Sequence, residues 1–135
     1  MLYFNKKTEY ALIAILHMAK KPAEASITSA REIAEAYEVP YYLLAKVLQQ
    51  LAGLGVVKAV HGTKGGYILA KRPQDITLAD MLGVFEGHLG VAECFREEKI
   101  TCRQWDGCTI KSPLYKLNHK IQTMLSQMTV EDLTK

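Results

Sequence analysis

Pro40 constrains this chain more than any other residue. It stands between two short runs, residues 29–37 and 41–51, each patterned as an amphipathic helix. Proline lacks an amide hydrogen and its ring blocks the preceding turn, so no helix runs through it. The first turn of a new helix accepts it without loss. Ahead of it, Ser29-Ala-Arg-Glu32 has the spacing of a capping box, with Ile33, Ala34 and Tyr37 expected on the inner face. Behind it, Leu44, Val47, Leu48 and Leu51 recur at helical spacing and should face a core, until the helix ends near Gly53 and Gly55. Two short helices joined by so tight a turn read as a helix-turn-helix.

The residues behind this helix pair narrow the fold further. Val56–Val60 and Tyr67–Ala70 are β-rich runs separated by His61-Gly-Thr-Lys-Gly-Gly66, the pattern of a glycine-rich hairpin. A hairpin directly behind a helix-turn-helix is a wing. Upstream, Thr8–Lys20 should be a helix stopped by Pro22, with Ala11, Ala14, Ile15 and Met18 as its apolar stripe. Downstream, Ile76–Gly87 reads as another short helix, capped by Thr77 and turning Leu78, Met81, Leu82 and Phe85 inward. The stretch from His88 to Lys111 has no periodicity. A final helix should be capped by Ser112, with Pro113 in its first turn. Its residues Leu114, Leu117, Ile121, Met124 and Met128 alternate by three and four, which suits pairing with a second copy or packing on the chain's own core.

The expected fold is therefore mainly α with a small β-wing. It divides into a winged helix-turn-helix domain at 1–73, a short helix and cysteine-bearing loop at 74–111, and a dimerisation helix and tail at 112–135. Charge follows the same division. Residues 1–73 carry +5 and residues 74–135 carry −2 within an overall +3, so the basic half is the one with the helix-turn-helix. Each lysine or arginine set against a phosphate releases counterions, which suits a polyanionic partner.

The second helix of a helix-turn-helix is the one that enters the major groove. With its leucines inward, Tyr41, Tyr42, Ala45, Lys46, Gln49 and Gln50 face outward. Glutamine pairs with adenine, lysine reaches guanine or phosphate, and alanine can approach a thymine methyl. In the wing, His61, Thr63 and Lys64 sit among glycines that allow close backbone approach to phosphates or a minor groove.

All three cysteines, Cys94, Cys102 and Cys108, fall within fifteen residues, and an odd number cannot pair completely within the chain. Their spacing is unlike the tight pairs of structural zinc sites. On ligand chemistry alone an iron–sulfur cluster, zinc and metal-free redox thiols all remain open.

The run Pro40-Tyr-Tyr-Leu-Leu-Ala-Lys-Val-Leu-Gln-Gln-Leu closely resembles the IscR/NsrR family of bacterial winged-helix regulators. So do Gly55-Val-Val, His61-Gly-Thr-Lys-Gly-Gly-Tyr-Ile-Leu-Ala-Lys-Arg-Pro, Ile76-Thr-Leu, the opening Lys7-Thr-Glu-Tyr-Ala-Leu and the three cysteines. The resemblance implies a homodimer on an imperfectly palindromic double-stranded DNA, joined by a long C-terminal helix. In many members it also implies an iron–sulfur cluster; 4Fe-4S is preferred here, with 2Fe-2S as the other form. One branch of the family places a histidine three residues after the third cysteine, where this chain has Lys111, a cation that cannot serve. The other branch takes an acidic residue from the other subunit's first helix, and alignment on Tyr10-Ala11 puts Glu9 there. His88 is the rival fourth ligand, Trp105 and Asp106 are candidates for shaping the loop, and His17 and His119 are expected on helix surfaces or at the dimer seam. Where the family usually carries Arg-Gly at the wing, this chain has His61-Gly62, which implies a weaker or pH-sensitive contact.

The function expected is a sequence-specific transcription regulator, with repression the expected direction, controlled by a cluster that senses nitric oxide, redox state or iron. The alternative is a cluster-free winged helix that senses oxidants through its thiols. An enzyme is not expected: the glycines at 62, 65 and 66 belong to a hairpin and open no helix, and no nucleophile–base pair or cofactor fingerprint is present. The longest aliphatic stretch, Ala11–Leu16, is far short of a membrane span, and no clear cleavage site follows it, so a cytoplasmic protein without a small-molecule substrate is expected.

Overall fold

The computed structural model describes residues 3–22, 27–87, 90–92, 95, 103 and 105–135. Helix α1 (Lys6–Lys20) begins two residues earlier than the periodicity suggests, because Asn5 caps it. The Asn5 side-chain oxygen accepts from the Thr8 amide at 2.9 Å, satisfying one of the free donors of the first turn. Ala11, Ala14, Ile15 and Met18 are buried along one face, as their spacing requires.

Helices α2 (Ala30–Tyr37) and α3 (Tyr41–Gly53) form the helix-turn-helix. Two expectations about α2 need correction. Ser29 Oγ accepts from the Glu32 amide at 3.0 Å, but the return half of the capping box is absent because the Glu32 carboxylate turns toward α1. Tyr37 is exposed rather than internal, since its hydroxyl meets His17 on the outside. The turn between the helices runs through Glu38 at φ 54°, ψ 41°, a left-handed conformation that glycine adopts at no cost and glutamate does not. Pro40 sits at the cap just outside α3, not inside its first turn. Leu44, Val47, Leu48 and Leu51 are completely buried.

Strands β1 (Val57–Val60) and β2 (Gly66–Leu69) pair antiparallel, in the register Val57 to Leu69 and Val60 to Gly66. Each lies within one residue of the expected run. The sequence does not announce the isolated bridge beside this two-stranded sheet. Thr28, just ahead of α2, exchanges both backbone hydrogen bonds with Tyr67 at 2.8 Å. Gly66 allows that approach: a Cβ there would lie 2.5 Å from the Thr28 carbonyl oxygen.

Helix α4 (Leu78–Phe85) has a complete capping box between Thr77 and Asp80, and it buries Leu78, Met81, Leu82 and Phe85. Helix α5 (Lys111–Gln127) starts one residue before Ser112, with Ile110 at the cap and no side-chain capping bond, so the expected serine cap is not formed. A short α6 (Val130–Leu133) follows, entered through a second capping box between Thr129 and Asp132. Residues 77 and 129 bridge: the Leu78 amide donates to the Met128 carbonyl and the Val130 amide to the Ile76 carbonyl, both at 2.9 Å.

The main core gathers residues from α1, α2, α3, the hairpin, α4 and Val130. A smaller cluster holds Leu78, Leu82 and Leu125, flanked by Leu12, Ile121 and Met128. Helix α5 thus packs on its own chain through Ile121, Leu125 and Met128. Leu117 and Met124, placed in the same seam by spacing, are exposed instead, in line with Ile110 at seven-residue intervals. The expected seam is two adjacent faces, one covered and one free.

Candidate nucleic-acid interface and cysteine loop

The outward face of α3 comes out as its periodicity dictates. Tyr41, Tyr42, Lys46, Gln49 and Gln50 are exposed, and Ala45 is half-buried between them. Tyr42 is 71% exposed, too much for a tyrosine held in place by packing alone. The Lys46 ammonium lies 4.5 Å from the centre of the Tyr42 ring, an (i, i+4) pair that steadies both side chains. In the wing, His61, Thr63 and Lys64 are all exposed. Gly62 has φ +123°, and a Cβ on Gly65 would strike the Val60 carbonyl oxygen at 2.4 Å, so the tight tip depends on both glycines.

Behind this surface lies a polar cluster built on His17, a residue expected only on a helix surface or at the dimer seam. His17 Nε2 is 2.6 Å from one Glu32 oxygen, and His17 Nδ1 is 2.8 Å from the Tyr37 hydroxyl. The Lys21 ammonium donates to Glu32 at 3.0 Å, to Thr28 Oγ at 3.0 Å and to the Ile27 carbonyl at 3.1 Å. These bonds from His17, and next from Lys21, hold the Glu32 carboxyl below its ordinary range. The one legible signal was His17 and Lys21 at (i, i+4), one turn apart on α1.

The start of α1 is tied to the end of α4. The Asn5 amide donates to Glu86 Oε1 at 2.7 Å, and its side-chain NH2 donates to the Phe85 carbonyl at 2.7 Å. The fully buried Thr8 hydroxyl lies 2.8 Å from the same Glu86 oxygen and 3.1 Å from Asn5 Oδ1. The charged acceptor is the nearer and takes its single proton. Glu9 stands in this first turn, about half-exposed, with Lys6 Nζ at 3.1 Å.

Cys94, Cys102 and His88 lie outside the described residues. Cys108 is a free, half-buried thiol between a short 3-10 turn (Trp105–Gly107) and α5. Among the described residues no three His, Cys, Asp or Glu side chains converge on a metal position. Lys111 is engaged with Trp105, donating to its carbonyl at 2.7 Å and sitting 4.3 Å from the ring centre. Asp106 and His119 are exposed. The buried Asn118 side chain accepts from the Val91 amide at 3.1 Å, tying residues 90–92 to α5. No helix among the described residues is long and apolar enough to cross a membrane.

Comparison with known proteins places these features in context. The family model described as Rrf2, iron-dependent transcriptional regulator, matches residues 4–135. The chain is 32% identical over 126 residues to the HTH-type transcriptional regulator NsrR of Shouchella clausii, covering 93% of this chain and 84% of that protein. Among solved structures, CymR, the global cysteine regulator of B. subtilis, superposes with a TM-score of 0.78 at 27% identity, covering 99% of this chain and 97% of that one. IscR of T. potens superposes with a TM-score of 0.73 at 30% identity, covering 98% and 85%.

Proposed function

The chain belongs to the Rrf2 family of transcriptional regulators, and from that premise we propose that it is a homodimer whose hold on palindromic DNA is set by an iron–sulfur cluster. The observation that carries the DNA-binding half is the exposed face of α3 beside a glycine-built wing. Tyr41, Tyr42, Ala45, Lys46, Gln49 and Gln50 read base edges, and His61, Thr63 and Lys64 approach the backbone beside them. The second copy covers the free stripe of Ile110, Leu117 and Met124 on α5, three large apolar side chains that their own chain leaves in water. Such a regulator works in the cytoplasm, where the DNA is.

Cys94, Cys102 and Cys108 are the cluster ligands, with Glu9 of the other subunit as the fourth and His88 as its rival. The donor set fits: thiolates suit iron–sulfur clusters, and a carboxylate is a harder, more exchangeable ligand that gives the shell a weak point. A 4Fe-4S cluster is preferred, with nitric oxide, oxidants or iron shortage as the signal. When bound, the cluster would supply a redox-sensitive link between the cysteine stretch of one subunit and α1 of the other. The chain's own part is to hold the first turn of α1, and Glu9 with it, by the Asn5 cap and the Glu86 contact. A second reading, regulation by bare thiols, draws support from the free Cys108 and from the likeness to the cysteine regulator CymR.

Anaerobic purification separates the two readings. A brown protein whose native mass includes iron and sulfide, and whose DNA affinity changes when the cluster is removed, supports the first. Colourless protein whose DNA binding responds to oxidant and reductant supports the second. Glu9→Ala should alter both the visible spectrum and DNA affinity, and an unchanged pair removes Glu9 from the ligand set.

A further inference from the structure

We propose that Lys21 is a positioning residue for DNA recognition, fixing the angle of the wing against the helix-turn-helix. The inference rests on the reading of α3 and the wing as the DNA-binding surface. An ammonium has three protons, and here all three have acceptors, one on α2 and two on the segment that leads into it. One goes to Glu32 in α2, one to Thr28 Oγ and one to the Ile27 carbonyl. The side chain is only 19% exposed, so this is not a solvated lysine that happens to pass a carboxylate. Thr28 is completely buried and is bonded through both backbone groups to Tyr67, beside Gly66, where the wing leaves its tip. Lys21 therefore joins α2 of the helix-turn-helix to the strand that carries the wing.

The far side of the joint is fixed as well. Glu32 cannot swing away with Lys21, because His17 Nε2 holds one of its oxygens and the Tyr37 hydroxyl holds the other ring nitrogen of His17. Without the ammonium, the Thr28 strand keeps its backbone bonds to the wing but loses its side-chain bond to α2. The peptide link through Ser29 and the buried Val57 still hold the wing to the helix-turn-helix, but its angle to α3 is then less sharply set. Base contacts from α3 need no such joint, whereas the wing reaches DNA only when its angle to α3 is right.

The test uses the full chain, purified anaerobically, and an operator selected by the wild-type protein from a random DNA pool. Lys21→Met should bind that operator roughly tenfold more weakly, the loss expected from charge-assisted hydrogen bonds. Protection at the wing should disappear from the hydroxyl-radical footprint, which reads the sugars, while the protection of major-groove guanines from dimethyl sulfate stays. The salt dependence should fall by about one for each phosphate contact released. Thr28→Val removes one acceptor at nearly constant volume and should give the same wing-specific pattern, with a loss of roughly threefold. It decides the matter if Lys21→Met does not fold. Variants whose footprints are intact, or weaken evenly over both regions, overturn the inference and leave the DNA-binding reading standing. Wild-type protein that selects an operator but protects nothing at the wing overturns this inference with the wing's own role. Wild-type protein that selects no operator overturns the proposed function.

Discussion

Gly66→Ala is a sharp test of how the wing is seated, because two opposing effects can be weighed. In an ordinary strand the change should help, since alanine loses less backbone entropy on folding, by about 0.4–1 kcal/mol. Here the new Cβ would lie 2.5 Å from the Thr28 oxygen, 2.8 Å from its carbonyl carbon and 3.0 Å from the Ser29 nitrogen, all backbone atoms. To reach an ordinary contact the Thr28 strand must retreat, and its two 2.8 Å bonds to Tyr67 then stretch beyond useful length. Thr28 is completely buried, so no water replaces them. Two backbone bonds lost from a buried site, less the entropic gain, leave a net destabilisation of about 2–4 kcal/mol. For 135 residues that lowers Tm by roughly 7–14 °C. The assay is equilibrium urea unfolding followed by circular dichroism, at one protomer concentration because a dimer's stability depends on it. Gly53→Ala is the internal contrast: nothing lies within 4 Å of a Cβ there, so alanine should be neutral or stabilising. A Gly66→Ala protein within about 0.5 kcal/mol of wild type, the scatter of ordinary surface substitutions, would refute the reasoning.

Glu38→Gly should stabilise the protein by about 0.5–1 kcal/mol, since it relieves a left-handed residue in the helix-turn-helix turn; a loss of stability in urea unfolding argues against that strain. Glu32 has a carboxyl held below its ordinary value of 4.5, so its contribution is complete above that pH and is lost as pH falls through the depressed value. The stability gap between wild type and Glu32→Gln should therefore shrink below about pH 4.5, and parallel pH profiles would exclude the linkage. Met124→Glu should shift the chain from dimer to monomer in sedimentation at micromolar concentration, by setting a charge in the apolar stripe, and an unaltered dimer moves the interface elsewhere. His61→Ala should weaken DNA binding, since the exposed wing tip loses a polar side chain able to reach the DNA backbone, and an affinity equal to that of wild type means that the contact does not exist.

Local rules carried the sequence reading of α2, α3, α4 and the hairpin, because each is announced within a few residues: Ser29 and Thr77 as caps, a leucine repeat, a glycine-rich tip. They failed where a partner lies far along the chain. Glu32 has capping-box spacing, yet His17 and Lys21 compete for its carboxylate and win. Asn5 looks like an unremarkable start until Phe85 and Glu86 supply its acceptors, eighty or more residues away. The α5 seam misled for a related reason. Spacing gives the apolar stripe but not which side of it α4 already covers, so it neither singles out the buried Leu125 nor separates the exposed Met124 from Met128. Of the candidate ligands, only Glu9 and Cys108 can be placed among the described residues.

The burial of Val130 in the main core has a consequence for how the chain acquires its fold. Helix α1 is made before all of its packing partners, and its apolar face packs against α3, β2, α4 and finally α6. The last of these partners is more than a hundred residues behind it. A nascent chain that has completed the helix-turn-helix and the wing still lacks Val130 and the bridge from Thr77 to Thr129. Loop-closure entropy for so distant a contact is met only once α6 has been made. Until then part of the apolar face of α1 stays uncovered, so the core beneath the helix-turn-helix is completed from the far end of the described fold.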